Sequence, residues 1–490
     1  MISLLLIIPL SSAFLIPIIG KRIKWTGGAI SSLAAFALAA NSFVIISNLM
    51  KYKTLLYKFG AFPPPAGISL IVDGLSVFLL ITVNVVAFLI ALFSMDYMKQ
   101  YTDRWKFYTL FMFMLAGVNG VLIAGDIFNL YVFLEVAAIA GYFLVGFGVR
   151  DEELEAAFKY AVMGSVASIF ILLGIGLLYS YTSTLNMAEM ARILPQNGTS
   201  SLVTFVSVLF LMGFGLKAAL VPFHSWLPYA HSQAPAPISA MLSGVSIKVL
   251  GIYALARIFF NVLGMTPAVC FILIALAVLS MVAGSIMAFG QSDIKRLFAY
   301  SSISQIGYIA LGLGIGTPLA ISGALFHLFN HSIFKSLLFL NSGSIEYAAG
   351  TRDLNRIRNV IREDPVTGYT NLIGSLSICG VPPLGGFWSK LIIILACIQA
   401  NHPILAFVAA VVSMLTLAYY FKALTPALFG THATAGIKAS GRKISFAMAA
   451  PMVILAILVV ISGMMLLPNP GRELLKGAAN VLQNGRNYGK

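Results

Sequence analysis

Asp126-Ile127-Phe128-Asn129-Leu130 is answered by Asp293-Ile294-Lys295-Arg296-Leu297, an offset of 167 (293 less 126). After a one-residue gap, Gly141-Tyr142-x-x-x-Gly146-x-Gly148 returns as Gly307-Tyr308-x-x-x-Gly312-x-Gly314. Val245-Ser246-x-x-x-Leu250-x-x-Tyr253 then returns as Val412-Ser413-x-x-x-Leu417-x-x-Tyr420, again 167 residues on. Each match alone is weak, because Gly and Leu abound here. Three in order at nearly one offset mark an internal repeat.

Composition says what the repeat is made of. The 490 residues are 59% hydrophobic and 10% charged, with a mean hydropathy of +0.94. That excludes a soluble globular chain. Apolar runs long enough to cross a ~30 Å hydrocarbon core recur from end to end. They lie at 2–20, 28–50, 70–95, 106–124, 127–149, 157–181, 201–222, 237–262, 266–290, 294–315, 318–345, 368–400, 403–428 and 444–467. No loop between these about fourteen spans is long enough for a separate folded domain. The first run lacks a convincing small-residue cleavage site after it and reads as a retained span. The expected fold is an all-α polytopic membrane protein.

Five spans separate the equivalent motifs, an odd number, so the second copy runs through the membrane upside down. This is an inverted-topology repeat. The predicted organisation is N-terminal spans in 1–105, a first five-helix unit at 106–262, a second at 266–428, and a last span with a short polar tail at 429–490.

The net charge of +15 follows topology. Loops after odd-numbered spans hold about 18 of the 31 Lys and Arg, including Lys21, Arg22, Lys24, Arg352, Arg356, Arg358 and Arg362, against about 9 on the other side. The positive-inside rule makes the richer side cytoplasmic and leaves both termini outside, and nucleic acid is not an expected partner. Cys270, Cys379 and Cys397 are scattered through apolar segments, without the clustering of a metal, iron–sulfur or disulfide framework. The run Gly312-Leu313-Gly314-Ile315-Gly316 lies inside a span rather than at a strand-to-helix turn, which argues against a dinucleotide site. No cofactor is expected.

Inverted repeats typically place ion sites mid-membrane on interrupted helices. The seventh span is expected to break at Val221-Pro222 and to continue through Pro228 and Pro235. The twelfth is expected to break at Gly380-Val381-Pro382-Pro383-Leu384-Gly385-Gly386. Proline removes a helix N–H and clashes one turn back, freeing backbone polar groups. At membrane depth such groups are tolerated only where protein or a water-filled cavity satisfies them.

Lys217, Lys248, Lys335, Lys390 and Glu135 sit inside predicted spans, where an ionisable side chain costs several kcal/mol and marks a functional site by default. Glu135 is about eight residues into its span, roughly 12 Å deep. Its repeat equivalent is Ser301 or Ser302, so the fold does not demand a carboxylate there; the alternative is a packing carboxylate bonded to a neighbouring helix. Lys217 precedes the first break by five residues and Lys390 follows the second by seven. Snorkelling is the alternative for a membrane lysine and fits Lys248 poorly, since that residue is about eleven positions from its nearest boundary. His327, His331 and Lys335 recur every four residues on one face. A histidine pair at that spacing can hold metal, but the third member is a cation and no Cys or acid flanks the pair, so a polar stripe facing a hydrated interior is favoured. His224 and His231 flank the first break near the surface and are weaker candidates. Asp73 opens the third span as Asp73-Gly74-Leu75-Ser76, where helix capping competes with transport.

At these residues a family becomes recognisable. Phe128-Asn129-Leu130-Tyr131-Val132-Phe133-Leu134-Glu135 and Lys217-Ala218-Ala219-Leu220-Val221-Pro222-Phe223-His224-Ser225-Trp226-Leu227-Pro228 resemble the antiporter-like subunits of respiratory complex I. So do Ala234-Pro235-Ala236-Pro237 with Ser239 and Lys248, and Gly380-Val381-Pro382-Pro383-Leu384-Gly385-Gly386-Phe387 with Lys390. The family includes subunits of Mrp-type sodium/proton antiporters and of membrane-bound energy-converting hydrogenases, and the likeness covers nearly the whole chain. It implies fourteen helices, two inverted five-helix units and a buried polar axis that moves protons. Positions matching Glu135 and Lys217 pair, and those matching Lys248, His327, Lys335 and Lys390 continue the axis. Lys390 separates this chain from complex I members with glutamate there, and the short tail lacks the long lateral helix of the largest members. The Mrp D-like type, its hydrogenase counterpart and the complex I N-like type remain, in that order.

The resemblance implies partner membrane subunits, protons as the transported species and sodium in the antiporter group, since no redox or nucleotide site is visible to supply energy. At ~5 Å and an effective dielectric of about 20, a Glu–Lys pair is coupled by roughly 3 kcal/mol, or about two orders of magnitude in proton affinity. Glu135 and Lys217 are expected to pair and separate, with Lys248, His327, His331 and Lys335 relaying charge to Lys390 as the exit gate. A stand-alone secondary cation/proton transporter would share the inverted repeat and is the alternative; a membrane enzyme would need a catalytic cluster at one interface.

Overall fold

The computed structural model describes residues 1–62, 67–196, 200–430 and 442–487. The chain is mostly helical. Among the described residues, ten helices are long and apolar enough to cross a membrane, and Leu4–Gly20, Ser201–Lys217 and Gly385–Gln399 are apolar but shorter. The 32-residue helix Pro318–Ala349 is not among the ten. Its length suffices, but His327, Asn330, His331, Lys335 and Asn341 dilute its hydropathy. All five are buried, so the composition reflects position inside the bundle rather than contact with solvent.

The two Asp-Ile motifs do the same local job. Asp126 caps helix Ile127–Val145 by accepting from the N–H groups of Phe128 and Asn129. Asp293 caps helix Ile294–Ile315 through the Arg296 N–H. Each satisfies an otherwise orphaned donor of the first turn. Each also tethers its helix start to a distant segment: Asp126 bridges to Asn186 and Asp293 to Asp353, pairs that are themselves 167 residues apart (293 less 126, 353 less 186).

The core is built on two helices. Every residue from Ala236 to Leu263 is buried, in a helix wound with wide π-type turns over Leu242–Tyr253 and Phe259–Leu263. Helix Pro318–Ala349 packs on that helix and on Gly74–Tyr97, Ile294–Ile315, Pro365–Cys379, Gly385–Gln399, Phe446–Ser462 and Pro470–Gln483. Close approach is set by glycine where the second break folds back. A Cβ on Gly386 would collide with the backbone carbonyl of Ser377 in the preceding half-helix.

Several boundaries differ from expectation. Helix Ser201–Lys217 stops at Lys217, before Val221-Pro222, because the backbone has already turned: Ala219 has φ +55° and the Leu220 N–H reaches back to the Gly215 carbonyl. Pro228 lies within the short helix Trp226–Gln233, in its first turn, where its missing N–H costs nothing. The run 368–400 is two helices, Pro365–Cys379 and Gly385–Gln399, joined through Gly380 at φ +82°. The sixth helix begins at Asp151 rather than 157, since Asp151, Glu152 and Glu153 favour the positive end of the helix dipole. A two-stranded antiparallel ribbon, Leu55–Lys58 with Ser69–Val72, departs from an all-α reading. The tail is not merely polar. Residues 431–441 and 488–490 of it lie outside the described residues, but Pro470–Gln483 is an amphipathic helix burying Leu475, Ala478, Ala479 and Leu482, the i, i+3, i+4, i+7 pattern of a packed face.

Gly386→Ala should therefore push the two half-helices apart, at an overpacking cost of about 1–3 kcal/mol. The expected outcome is a lower melting temperature of the purified assembly; an unchanged one would mean that the turn relaxes around a methyl group.

Candidate functional site

The first break brings Lys217 and Glu135 together. Lys217 is the last residue of its half-helix, where the negative end of the dipole favours a cation. Its buried Nζ lies 3.2 Å from Glu135 Oε1. Ser168 also donates its hydroxyl to Glu135 Oε1, while sitting 2.9 Å from the Gly164 carbonyl. A hydroxyl has one proton, so Ser168 serves one acceptor at a time. The break is secured by Trp226 Nε1 donating to the Leu216 carbonyl at 3.1 Å and by the Val221 N–H donating to Ser280 Oγ at 2.9 Å.

Lys248 lies within the π-wound stretch and donates to the Ser243 carbonyl of its own helix. Ser243 Oγ is 2.9 Å from Ser302 Oγ, and Ser302 donates to the Phe298 carbonyl at 2.9 Å. That carbonyl also accepts from Lys335 Nζ at 2.7 Å. Lys335 further contacts Ser301 Oγ, which lies 3.1 Å from the Tyr420 hydroxyl. Lys248 and Lys335 are thus joined across three helices by hydroxyls and carbonyls.

At the second break, Lys390 Nζ donates to the Ile378 carbonyl at 2.6 Å and to Ser413 Oγ at 3.4 Å. Ile378 is in the last turn of helix Pro365–Cys379, whose carbonyls the break has freed. The neighbouring Ser389 hydroxyl is 2.9 Å from His327 Nδ1, and His327 Nε2 is 3.2 Å from Gln305 Oε1. Both nitrogens of His331, Ser246 Oγ and Gln305 Nε2 are buried and have no hydrogen-bond partner among the described residues. No direct hydrogen bond there joins Lys217 to Lys248, or Lys335 to Lys390.

One histidine and two charge clusters differ from the sequence reading. His224 is half-buried beside the break. His231 is fully buried rather than near the surface, because helix Trp226–Gln233 folds into the bundle and sets its ring 5.5 Å from Phe339. Asp73 caps its helix through Ser76 and also holds Arg257 in a forked pair, at 2.7 Å and 2.9 Å. Arg257 additionally meets Tyr253, Ser76 and Asn261. Asn261 in turn donates to the Val481 and Gly485 carbonyls, tying the C-terminal helix to this pair. The second cluster joins Lys295, Glu346, Arg352 and Asp293. Sequence reading missed Arg257, Lys295 and Glu346 because they lie near span ends, where charge is ordinary. The available signals were Tyr253, Arg257 and Asn261 at four-residue spacing, and Glu346 three full turns beyond Lys335.

Interrupted helices, buried lysines and the Glu135–Lys217 pair at the first break define a polytopic ion-handling membrane protein. Known proteins give that class a family. A family described as "NADH:quinone oxidoreductase/Mrp antiporter, TM" matches residues 124–416, and one described as "NADH-Ubiquinone oxidoreductase (complex I), chain 5 N-terminus" matches residues 64–108. The chain is 35% identical to NADH-quinone oxidoreductase subunit N of Desulforudis audaxviator, over 94% of this chain and 95% of that protein. It is also 35% identical to a D-type Na(+)/H(+) antiporter subunit of Alkalihalophilus pseudofirmus, over 82% and 81%. Among solved structures, it matches a chain of the membrane-bound sulfane sulfur reductase, an archaeal respiratory membrane complex, with TM-score 0.91, 31% identity and coverage of 98% and 97%. A chain of the Mrp complex from Dietzia sp. gives TM-score 0.89 and 25% identity over 99% and 97%. The chain belongs to the NADH:quinone oxidoreductase/Mrp antiporter membrane family and is a multi-pass membrane protein.

Asp73→Asn tests the structural cluster. Removing one partner of a buried ion pair leaves an uncompensated charge, at a cost of about 3–5 kcal/mol. The expected result is poor assembly or a sharply lowered melting temperature; wild-type stability would show that the other Arg257 contacts suffice.

Proposed function

We propose that this chain is a proton-translocating subunit of a multisubunit membrane complex, driven by a redox reaction or an antiport carried by partner subunits. The observation that carries it is the Glu135–Lys217 ion pair at the first helix break, followed by buried Lys248, Lys335 and Lys390. Relatives named as subunits of a quinone oxidoreductase and of a sodium/proton antiporter share most of the chain at equal identity, which supports membrane partners and a proton, with sodium as the exchanged ion in the antiport case.

In the finer reading, the ten long helices, helix Leu4–Gly20, the polar helix Pro318–Ala349 and the two broken helices make fourteen spans. Residues 106–262 and 266–428 are two inverted five-helix units after N-terminal spans in 1–105, with the last span and tail in 429–490. Both termini lie outside. The 167-residue spacing of the two helix-start tethers supports this division.

The mechanism follows from charge and distance. Opening the Glu135–Lys217 contact from 3.2 Å to about 8 Å removes roughly 3 kcal/mol of attraction at an effective dielectric near 20. Lys217 then releases its proton inward, Lys248, His331, Lys335 and His327 relay the charge, and Lys390 passes it out at the second break. The unpartnered atoms of His331, Ser246 and Gln305 support water between these groups, since buried polar atoms are paired by protein or ordered water.

Glu135→Gln should assemble normally, because an amide still accepts from Ser168, yet lose most coupled transport; wild-type pumping would sink the pair. Lys390→Met should lower proton movement in vesicles at least several-fold with assembly unchanged. Unimpaired transport would remove Lys390 from the path, because methionine suits an apolar site better than an ammonium.

A further inference from the structure

Glu346 lies eleven residues beyond Lys335 on helix Pro318–Ala349, close to three full turns, so it shares the face of His331, Lys335 and Phe339. Its Oε2 is 2.8 Å from Lys295 Nζ and its Oε1 3.8 Å from Arg352 Nε. The Lys295 side chain is 3% exposed and that of Glu346 31%, so Glu346 is the member of the pair that reaches solvent, although its Oε2 is itself buried. It does so at the end of the molecule whose loop carries Arg352, Arg356, Arg358 and Arg362. Arg150 and Glu153 on helix Asp151–Thr182 and its approach, and Tyr97 and Tyr101, lie within electrostatic reach.

The cluster grips the far end of the short helix Trp226–Gln233 that follows the first break. Arg352 donates to the Ser232 carbonyl, and Lys295 to the Ala234 carbonyl at 3.3 Å. Between these contacts and the axis stands His231, fully buried and with both ring nitrogens unpartnered among the described residues. Its ring is 5.5 Å from Phe339, and Lys335 Nζ is 6.0 Å from that same phenyl ring. Arg352 thus ties Glu346 to Ser232, the residue next to His231, and His231 and Lys335 flank one phenyl ring.

We propose that Glu346 is the proton-intake site of the axis on the basic-loop side, and that His231 hands the proton on to Lys335. This rests on the transport function proposed above. A proton from water adds to a Glu346 carboxylate oxygen and moves, directly or through water, to the unprotonated nitrogen of neutral His231. The opposite ring nitrogen gives its own proton to Lys335 in its amine form. One proton enters, one arrives, and the imidazole ends neutral in the other tautomer. Lys295 and Arg352 shorten the proton's stay on the carboxylate, which suits a port rather than a store.

The test uses the intact complex in vesicles. Glu346→Gln is expected to cut proton transport roughly tenfold or more, the scale of losing a proton-transfer group, with assembly unchanged. Glu346→Asp should restore most of it, and His231→Phe should match the Gln loss. Lys295→Gln should retain most transport, because it breaks the ion pair but leaves the carboxylate. Equal losses in Glu346→Gln and Lys295→Gln would mean that the pair merely holds the loop, and would overturn the proposal, as would unimpaired Glu346→Gln. Should Glu346→Gln fail to assemble, a water-soluble carbodiimide applied to the wild-type complex from the basic-loop side decides: modification of Glu346 must stop transport, and transport that survives it overturns the port. Glu135→Gln runs in parallel. Loss there with unimpaired Glu346→Gln overturns the intake site alone, whereas unimpaired transport in both overturns the functional reading.

Discussion

A buried ammonium needs an acceptor, and this bundle has few carboxylates to offer. Among the described residues, Lys217 meets Glu135, but Lys248, Lys335 and Lys390 have no carboxylate within ion-pair distance. Their acceptors are main-chain carbonyls. Two of these carbonyls are offered where a helix is interrupted or wound off its usual register, while the Phe298 carbonyl, inside the regular helix Ile294–Ile315, accepts from Lys335 as a second partner. Lys390 takes the Ile378 carbonyl at the second break, and Lys248 takes the Ser243 carbonyl in a π-wound stretch.

That constraint links packing to charge movement. A carbonyl dipole holds an ammonium without neutralising it, so the lysines remain mutually repulsive, and each responds to the charge of the next. The hydroxyl bridge from Ser243 through Ser302 to the Phe298 carbonyl brings Lys248 and Lys335 onto one network while keeping them apart. At one end, Glu135 is the carboxylate within reach of a lysine, Lys217, and offsets its charge. Stability is supplied elsewhere, by the Asp73–Arg257 fork and the C-terminal helix latched to it through Asn261.

Much of this was legible in the sequence, for physical reasons. Hydropathy points to spans because lipid tolerates little else, and Pro222 at the first break and the Pro-Gly run 380–386 at the second mark where a helix is interrupted. Glu135 and the four lysines stand out because charge at mid-span is costly. What escaped was decided by tertiary contact. Arg257, Lys295 and Glu346 sit where charge is ordinary, and only packing buries them. His231 seemed peripheral beside a break whose following half-helix in fact turns into the core. Lys217 reads as five residues short of Pro222, yet it ends its helix because Ala219 has already left helical geometry. The amphipathic face of Pro470–Gln483 is visible at 475, 478, 479 and 482 once a helix is assumed, but a short polar tail does not suggest one.

Charge movement between the buried cations would require a hydrated interior. The most direct measurement is a density map of the intact complex in a lipid bilayer, at a resolution that resolves ordered water. Waters are expected bonded to the His331 nitrogens, Ser246 Oγ and Gln305 Nε2, linking Lys248 to Lys335 and His327 to Lys390. A dry interior, in which those atoms find protein partners by repacking and no water lies between the lysines, would contradict such charge movement.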